Sequence, residues 1–198
     1  MGGEIVSVLE VKLLLATLLC LPLVRQAYAL EGEQLYVLTP QGWVPAFHDA
    51  QGNVELVEMV PQGQSMSDWS EMLMVQLING KPNQTPEEVL KAQQEQIKQA
   101  CEDSGFGAVS AGMENGYDMA MQAMACTKSK KYAKGELNLF KVIRGHERLY
   151  ILNRAWRGEP FDKAHLPVSP ETTKSWLTFM SQALVCDSRD GQRPCPKK

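Results

Sequence analysis

The pair Asn115-Gly116 and the ten residues after it, Tyr117 to Cys126 (YDMAMQAMAC), constrain this chain more than any other stretch. Asparagine and glycine both accept positive φ, which a tight hairpin turn needs. The run that follows holds no proline or glycine, and its side chains alternate between the two faces of a strand. Tyr117, Met119, Met121 and Ala123 share one face and read as core. Asp118, Ala120, Gln122, Met124 and Cys126 share the other, which is mixed, with its apolar end at Met124 and Cys126. Small alanines between long methionines suit a face over which a helix lies closely, and the segment ending at Cys101 supplies one.

That helix carries its own start signal. In Thr85-Pro86-Glu87-Glu88, threonine caps, proline occupies the first turn, and Glu88 completes a capping box. Val89, Leu90, Gln93, Ile97 and Cys101 fall on one side at helical spacing, and the element is predicted to run to about Glu102. Ser169-Pro170-Glu171 opens a second helix in the same way, with Thr173, Trp176, Leu177, Met180 and Leu184 as its apolar stripe.

The remaining elements read as strands. Gln34–Leu38, turned by Thr39-Pro40-Gln41-Gly42 onto Trp43–His48, begins a meander that continues through Val54–Val60, with Val54, Leu56 and Val57 inward. Glu71–Ile78 is apolar on both faces, as a central strand is. Gly107–Met113 leads into the Asn-Gly turn. Glu136–Arg144 and Leu149–Trp156 form a second hairpin around Gly145-His146. Strands, helix, strands, helix with hairpin links predict an α+β fold: an antiparallel sheet of roughly seven strands with two main helices packed on it.

Leu13 to Val24 is a short apolar run after Lys12 that ends near Ala27-Tyr28-Ala29, the layout of a secretory signal peptide over residues 1–29 and too short for a comfortable membrane span. Residues 30–198 then form a single α+β domain, exported to the periplasm or secreted after cleavage near Ala29, with no transmembrane segment in the mature chain. Glu4 and Glu10 are foreign to a positively charged leader and place a start near Val11 as an alternative, and Cys20 brings in a lipoprotein alternative. Loss of the leader leaves Cys101, Cys126, Cys186 and Cys195, which read as two disulfides in an oxidising compartment. Of the three pairings, Cys101–Cys126 and Cys186–Cys195 are favoured: one ties helix to strand, the other closes a C-terminal loop, 186–195, through Gly191 and Pro194. No C-x-x-C spacing points to a thiol oxidoreductase or a zinc ribbon.

In element order, and in the patches Val54–Gln76, Asn115–Tyr117 and Lys141–Tyr150 with its Gly145, the chain resembles the PsbP/Mog1-like proteins, including small exported bacterial ones of uncharacterised function. The resemblance covers most of the mature chain. It implies a non-enzymatic accessory or binding module.

No residue pattern nominates a reaction. His48, His146 and His165 lie near separate turns without ligand spacing, and no hydrolase, zinc-protease or phosphate-loop motif is present. No cofactor is expected. A net charge of −3 argues against nucleic acid as a partner. The expected function is binding, with an envelope protein or a small ligand held between sheet and helix as partner. A periplasmic copper-handling role for the groups Met66/Met72/Met74 and Met113/Met119/Met121/Met124 is the alternative, since thioethers suit Cu(I), and a hydrolase without recognisable motif is third. The basic stretch Lys128, Lys130, Lys131 and Lys134 beside Tyr132 suits a solvated loop that discourages edge pairing. Trp43, Trp69 and Trp156 are the candidate partner contacts because tryptophan is enriched at binding hot spots, although each also suits a core, and Trp69 in particular reads as an anchor.

Overall fold

The computed structural model describes residues 31–196. The leader expected over residues 1–29, with Cys20, lies outside the described residues. Strands β1 (Glu33–Tyr36), β2 (Trp43–Gln51), β3 (Val54–Pro61) and β4 (Glu71–Asn79) precede helix α1 (Pro86–Ala100). Strands β5 (Ser104–Phe106), β6 (Ser110–Glu114), β7 (Tyr117–Cys126), β8 (Gly135–Arg144) and β9 (Arg148–Gly158) follow, then helix α2 (Pro170–Gln182) and β10 (Leu184–Asp187). Eight strands form one antiparallel sheet in the order β2-β3-β4-β9-β8-β7, with β5 and β6 sharing the outer edge of β7. The fold is the α+β class expected.

Backbone chemistry explains the main boundaries. The turn before β7 has positive φ at Asn115 (48°) and Gly116 (78°). Thr85 caps α1 by accepting from the Glu88 amide, and the Glu88 carboxylate accepts from the Thr85 amide at 2.8 Å. Ser169 caps α2 by accepting from Thr172. The first helix stops at Ala100 rather than about Glu102, because Cys101 turns extended at the C-cap to bond Cys126, with Cα atoms 5.5 Å apart. The second disulfide joins Cys186 and Cys195.

The sheet is covered on both faces. Val89 and Leu90 of α1 pack on Ala120, Met124, Phe140, Val142, Leu149 and Ile151. On the opposite face, Trp176 and Met180 of α2 pack on Ala125, Leu137, Leu139 and Leu152. Beyond α2, Val185 packs with Tyr117, Ile143 and Tyr150, and Leu35 joins them. The predicted weighting of the two faces of β7 holds at Tyr117, which is buried, and reverses beyond it. Ala120, Gln122, Met124 and Cys126 are buried, whereas Met119 and Met121 are half-buried and Ala123 is exposed. The reason is the coverage: α1 closes over the first set, and α2 does not reach across the second.

The expected opening meander is also corrected. β1 does not return onto β2; it pairs with β10 as a separate two-stranded sheet, Leu35 opposite Val185. Packing of the half-buried Leu35 on the α2 face and the bonds between Gly32 and Ser188, at 2.9 and 3.2 Å, hold it there. Glu33 completes the anchoring. Its carboxylate accepts from the backbone amides of His146, Glu147 and Arg148, at 2.6, 3.2 and 3.2 Å, and from the Tyr150 hydroxyl at 3.1 Å. Only glycine fits beside it at position 145. A Cβ there would fall inside the Glu33 carboxylate and 2.8 Å from the Arg148 carbonyl oxygen. Val54, Leu56 and Val57, expected inward, are half-buried in β3, where only Val60 is fully buried. Leu177 and Thr173 of the predicted α2 stripe are exposed, and Leu184 belongs to β10.

Candidate functional site: an apolar cleft between sheet and second helix

The gap over Ala123 is the feature that the packing does not use. Its floor is Met121 and Ala123 of β7 with Leu137 and Leu139 of β8; one wall is α2, through Thr173, Trp176 and Leu177. Leu166, from the segment before α2, and Ala108 and Ser110, from the β5–β6 link, complete it. The volume is about 250 Å³, and an adjoining hollow of about 310 Å³ continues it past Ala125 to Lys163, sharing Ala123, Leu137 and Leu166. Volumes of this order are typical of small-ligand sites. Leu166 and Leu177 on the rim are 53% and 45% exposed, and Val109 beside it is 42% exposed. Large apolar side chains gathered around one apolar hollow mark a contact surface better than the same residues scattered singly.

Local chemistry holds the cleft open. Between β5 and β6 the register on β7 slips by one residue, Phe106 opposite Met124 and Ser110 opposite Met121, and there the buried Gln122 side chain donates to the Gly107 carbonyl at 2.7 Å. Gln122 in turn accepts from Gln94 of α1 at 2.7 Å. The walls are fixed by one buried cation. Lys141, with 0% exposure on the α2 face, donates to the Met180 and Ala183 carbonyls at the end of α2, both at 2.7 Å, and to Glu114 of β6 at 2.6 Å. It therefore caps the helix that forms one wall and ties it to the edge strand opposite. Burial pulls the Lys141 pKa below its ordinary value, and the bond to Glu114 opposes that shift. The segment carrying Leu166 is pinned by the Phe161 amide on the Thr127 carbonyl, at 3.1 Å, and by Lys163 on Asp103, at 2.9 Å.

Nothing in the sequence marks Ala123, Leu166 or Lys141 for these roles; a lysine within an apolar strand is the one signal that could have been followed. The three candidate tryptophans are not brought together. Trp43 lies over Arg154 (4.3 Å) and Trp156 meets Phe161 edge-on (6.0 Å), both on the α2 face. Trp69, 5% exposed, packs with Val60, Met72 and Ala155 on the other face. Arg154 also pairs with Glu71 at 2.8 Å, and its pKa is lowered by burial.

A larger hollow, about 350 Å³, lies beside Trp69, Tyr132 and Arg157. Its charges are already matched internally, Arg157 by Glu136 at 2.7 Å and Lys134 by Glu159, and the Arg157 guanidinium covers the Trp69 ring at 3.8 Å. Lys128 of the same basic stretch pairs with Glu102 at 2.7 Å. The histidines stay apart: His48 near Glu55 (3.8 Å), His146 against the Tyr117 ring (5.3 Å), His165 in an exposed turn. Among the described residues no group of three or more His, Cys, Asp or Glu side chains is placed to hold a metal ion. The methionines of the second group diverge, with Met119 and Met121 on the α2 face, Met124 under α1 and Met113 exposed. Met66, Met72 and Met74 do meet, in the apolar cluster around Trp69. Among the described residues no helix is long and apolar enough to cross a membrane.

No protein-family model matches the chain, and no curated protein sequence matches it. Solved structures do. The Ran-binding protein Mog1p of Saccharomyces cerevisiae is 12% identical over 79% of this chain and 97% of its own, with a TM-score of 0.50. The cyanobacterial PsbP (CyanoP) of Synechocystis sp. PCC 6803 is 16% identical over 80% and 95%, with a TM-score of 0.47. LpqN, involved in cell envelope biogenesis of Mycobacterium tuberculosis, is 11% identical over 80% and 87%, with a TM-score of 0.44. The chain has a PsbP/Mog1-like fold.

Proposed function

We propose that this protein is an exported, non-enzymatic binding or accessory module whose working surface is the cleft between β7, β8 and α2. The observation that carries the reading is the apolar hollow over the exposed Ala123, rimmed by Leu166 and Leu177. Its lining has little with which to perform acid–base or nucleophilic chemistry, and much with which to bury hydrocarbon. The two disulfides, together with the apolar leader, support an oxidising compartment outside the cytoplasm. The partner is an envelope protein offering apolar side chains or a small ligand. Mog1p, of like fold, is a Ran-binding protein, an analogy for use of this scaffold in binding.

Native mass spectrometry of the protein isolated from the export compartment tests this. The expected species begins at Leu30, contains two disulfides and carries a partner or ligand that the cleft-filling substitution Ala123→Phe displaces. An intact leader with free thiols would sink the export reading, and a partner held equally by Ala123→Phe would sink the assignment of the cleft.

A further inference from the structure

Resting on that reading, we infer that the occupant of the cleft is a single-chain anionic amphiphile, a monomeric fatty acid, with its hydrocarbon tail along β7 and its head group at Lys163. Three observations select this chemistry. The lining of the trough is mainly apolar, with Ser110, Gln122, Asn138, Thr173 and Lys163 as its polar members. A peptide backbone inserted there would leave its amides and carbonyls without partners, whereas a hydrocarbon chain needs none. The trough is also elongated. Its floor follows β7 from Met121 to Ala125, about 14 Å at the rise of an extended strand, and it lies between α2 and the Leu166 segment, which suits a chain better than a ring system.

The third observation is that the two ends differ. Toward α2 the trough ends among Trp176 and Leu177, without a charge. At the other end Lys163 lines it beside Gly105, Phe106 and Gly107. The Lys163 ammonium is about half exposed and, among the described residues, is held only by the exposed Asp103. An exposed ion pair of this kind contributes little to stability. A carboxylate head can therefore share the ammonium with Asp103, which keeps the pair that pins the Leu166 segment.

Isothermal titration of the disulfide-bonded protein with dodecanoate and with dodecanol, both below their aggregation limits, tests the inference. Saturable one-to-one binding of both is expected. Ala123→Phe fills the floor and is expected to weaken both by at least about tenfold, the loss of several buried methylenes. Leu177→Glu, on the exposed rim, is expected to leave folding intact and to weaken dodecanoate more than dodecanol. Lys163→Met is expected to weaken dodecanoate about threefold and leave dodecanol unchanged, as an exposed charge pair would. Absence of saturable binding, or binding indifferent to both Ala123→Phe and Leu177→Glu, overturns the inference; an equal effect of Lys163→Met on the two probes overturns the head-group assignment. If dodecanoate does not bind but Ala123→Phe still displaces the partner retained in the native isolate, the acyl chemistry falls and the binding cleft stands. If dodecanoate binds as described while the native isolate is indifferent to Ala123→Phe, the chemistry stands and the proposed working surface falls.

Discussion

The two faces of the sheet are covered by helices of similar length, fifteen residues in α1 and thirteen in α2, yet they are finished differently. Under α1 the contact is apolar at Val89, Leu90 and Ile97, with a part-buried polar contact between Gln94 and Gln122, and the helix is fastened at both ends, by its capping box and by Cys101–Cys126. Under α2 the same strands present a buried lysine, a buried arginine and a gap. That helix is fastened at its C-terminal end by Lys141, while its other end stands over the cleft. A face built only for stability has no reason to bury charges or to leave a trough beside them. The α1 face is the part that makes the fold, and the α2 face is the part that the fold leaves available.

Substitutions that act on one face alone sharpen this contrast. Lys141→Met leaves two helix-end carbonyls and Glu114 without their partner, and is expected to cost about 4 kcal/mol in denaturant melts. Adding Glu114→Gln should recover only part of that loss, because the Met180 and Ala183 carbonyls remain uncapped. Full recovery would show that α2 does not depend on the cap. Replacing Cys101 and Cys126 by serine is expected to cost about 3.5 kcal/mol, against about 2.5 kcal/mol for Cys186 and Cys195, whose loop is shorter. The sequence separations are 25 and 9 residues. Equal losses would remove the special standing of the helix-to-strand bridge. Leu90→Ala, at a site with no exposure, is expected to cost about 3 kcal/mol. Leu177→Ala, on the rim, should cost less than about 0.5 kcal/mol. Similar costs would mean that the rim is packed in solution.

An effect of opposite sign concerns Tyr117, buried on the α2 face with a hydroxyl that has no hydrogen-bond partner among the described residues. Tyr117→Phe is expected to stabilise by about 1 kcal/mol, since a stranded hydroxyl is removed. It should also change the alkaline limb of the stability curve. Burial, aided by Glu33 and Asp187, pushes the Tyr117 pKa up to about 12 from 10.0. Above pH 10 the unfolded tyrosine gives up its proton while the folded one keeps it. The folded state then binds more protons, and stability falls with rising pH from 10 to about 12. The difference between wild-type and Tyr117→Phe melts across that window isolates this contribution; parallel curves would contradict it.

Much of the scaffold was legible in local signals. Thr85-Pro86 with Glu88, Ser169-Pro170 and Asn115-Gly116 each encode a boundary through backbone chemistry a few residues wide, and the structure places a helix or strand at each. The cysteine pairing followed once Cys101 lay on the inner stripe of α1. What could not be read depends on residues distant in the chain. β1 turns away from β2 because Glu33 and Leu35 find their partners at Gly145–Tyr150 and in β10. Lys141 reads as a break in an apolar strand until the end of α2 arrives to meet it. The cleft was least legible, because a void is a property of how far α2 and the Leu166 segment reach and of no residue type. An exposed alanine and a buried one look alike in sequence, and Ala123 and Ala120 differ only in what lies above them.

That pair offers the most direct measurement. Ala120 and Met124 face α1, and Met121 and Ala123 face the cleft, all within one strand. Methyl spectra of the alanines and methionines, recorded while the apolar probe anilinonaphthalenesulfonate is titrated, report both faces at once. The expected result is saturable shifts at Met121 and Ala123 with Ala120 unmoved. Shifts at Ala120, or an unresponsive Ala123, would contradict a closed α1 face set against an open α2 face.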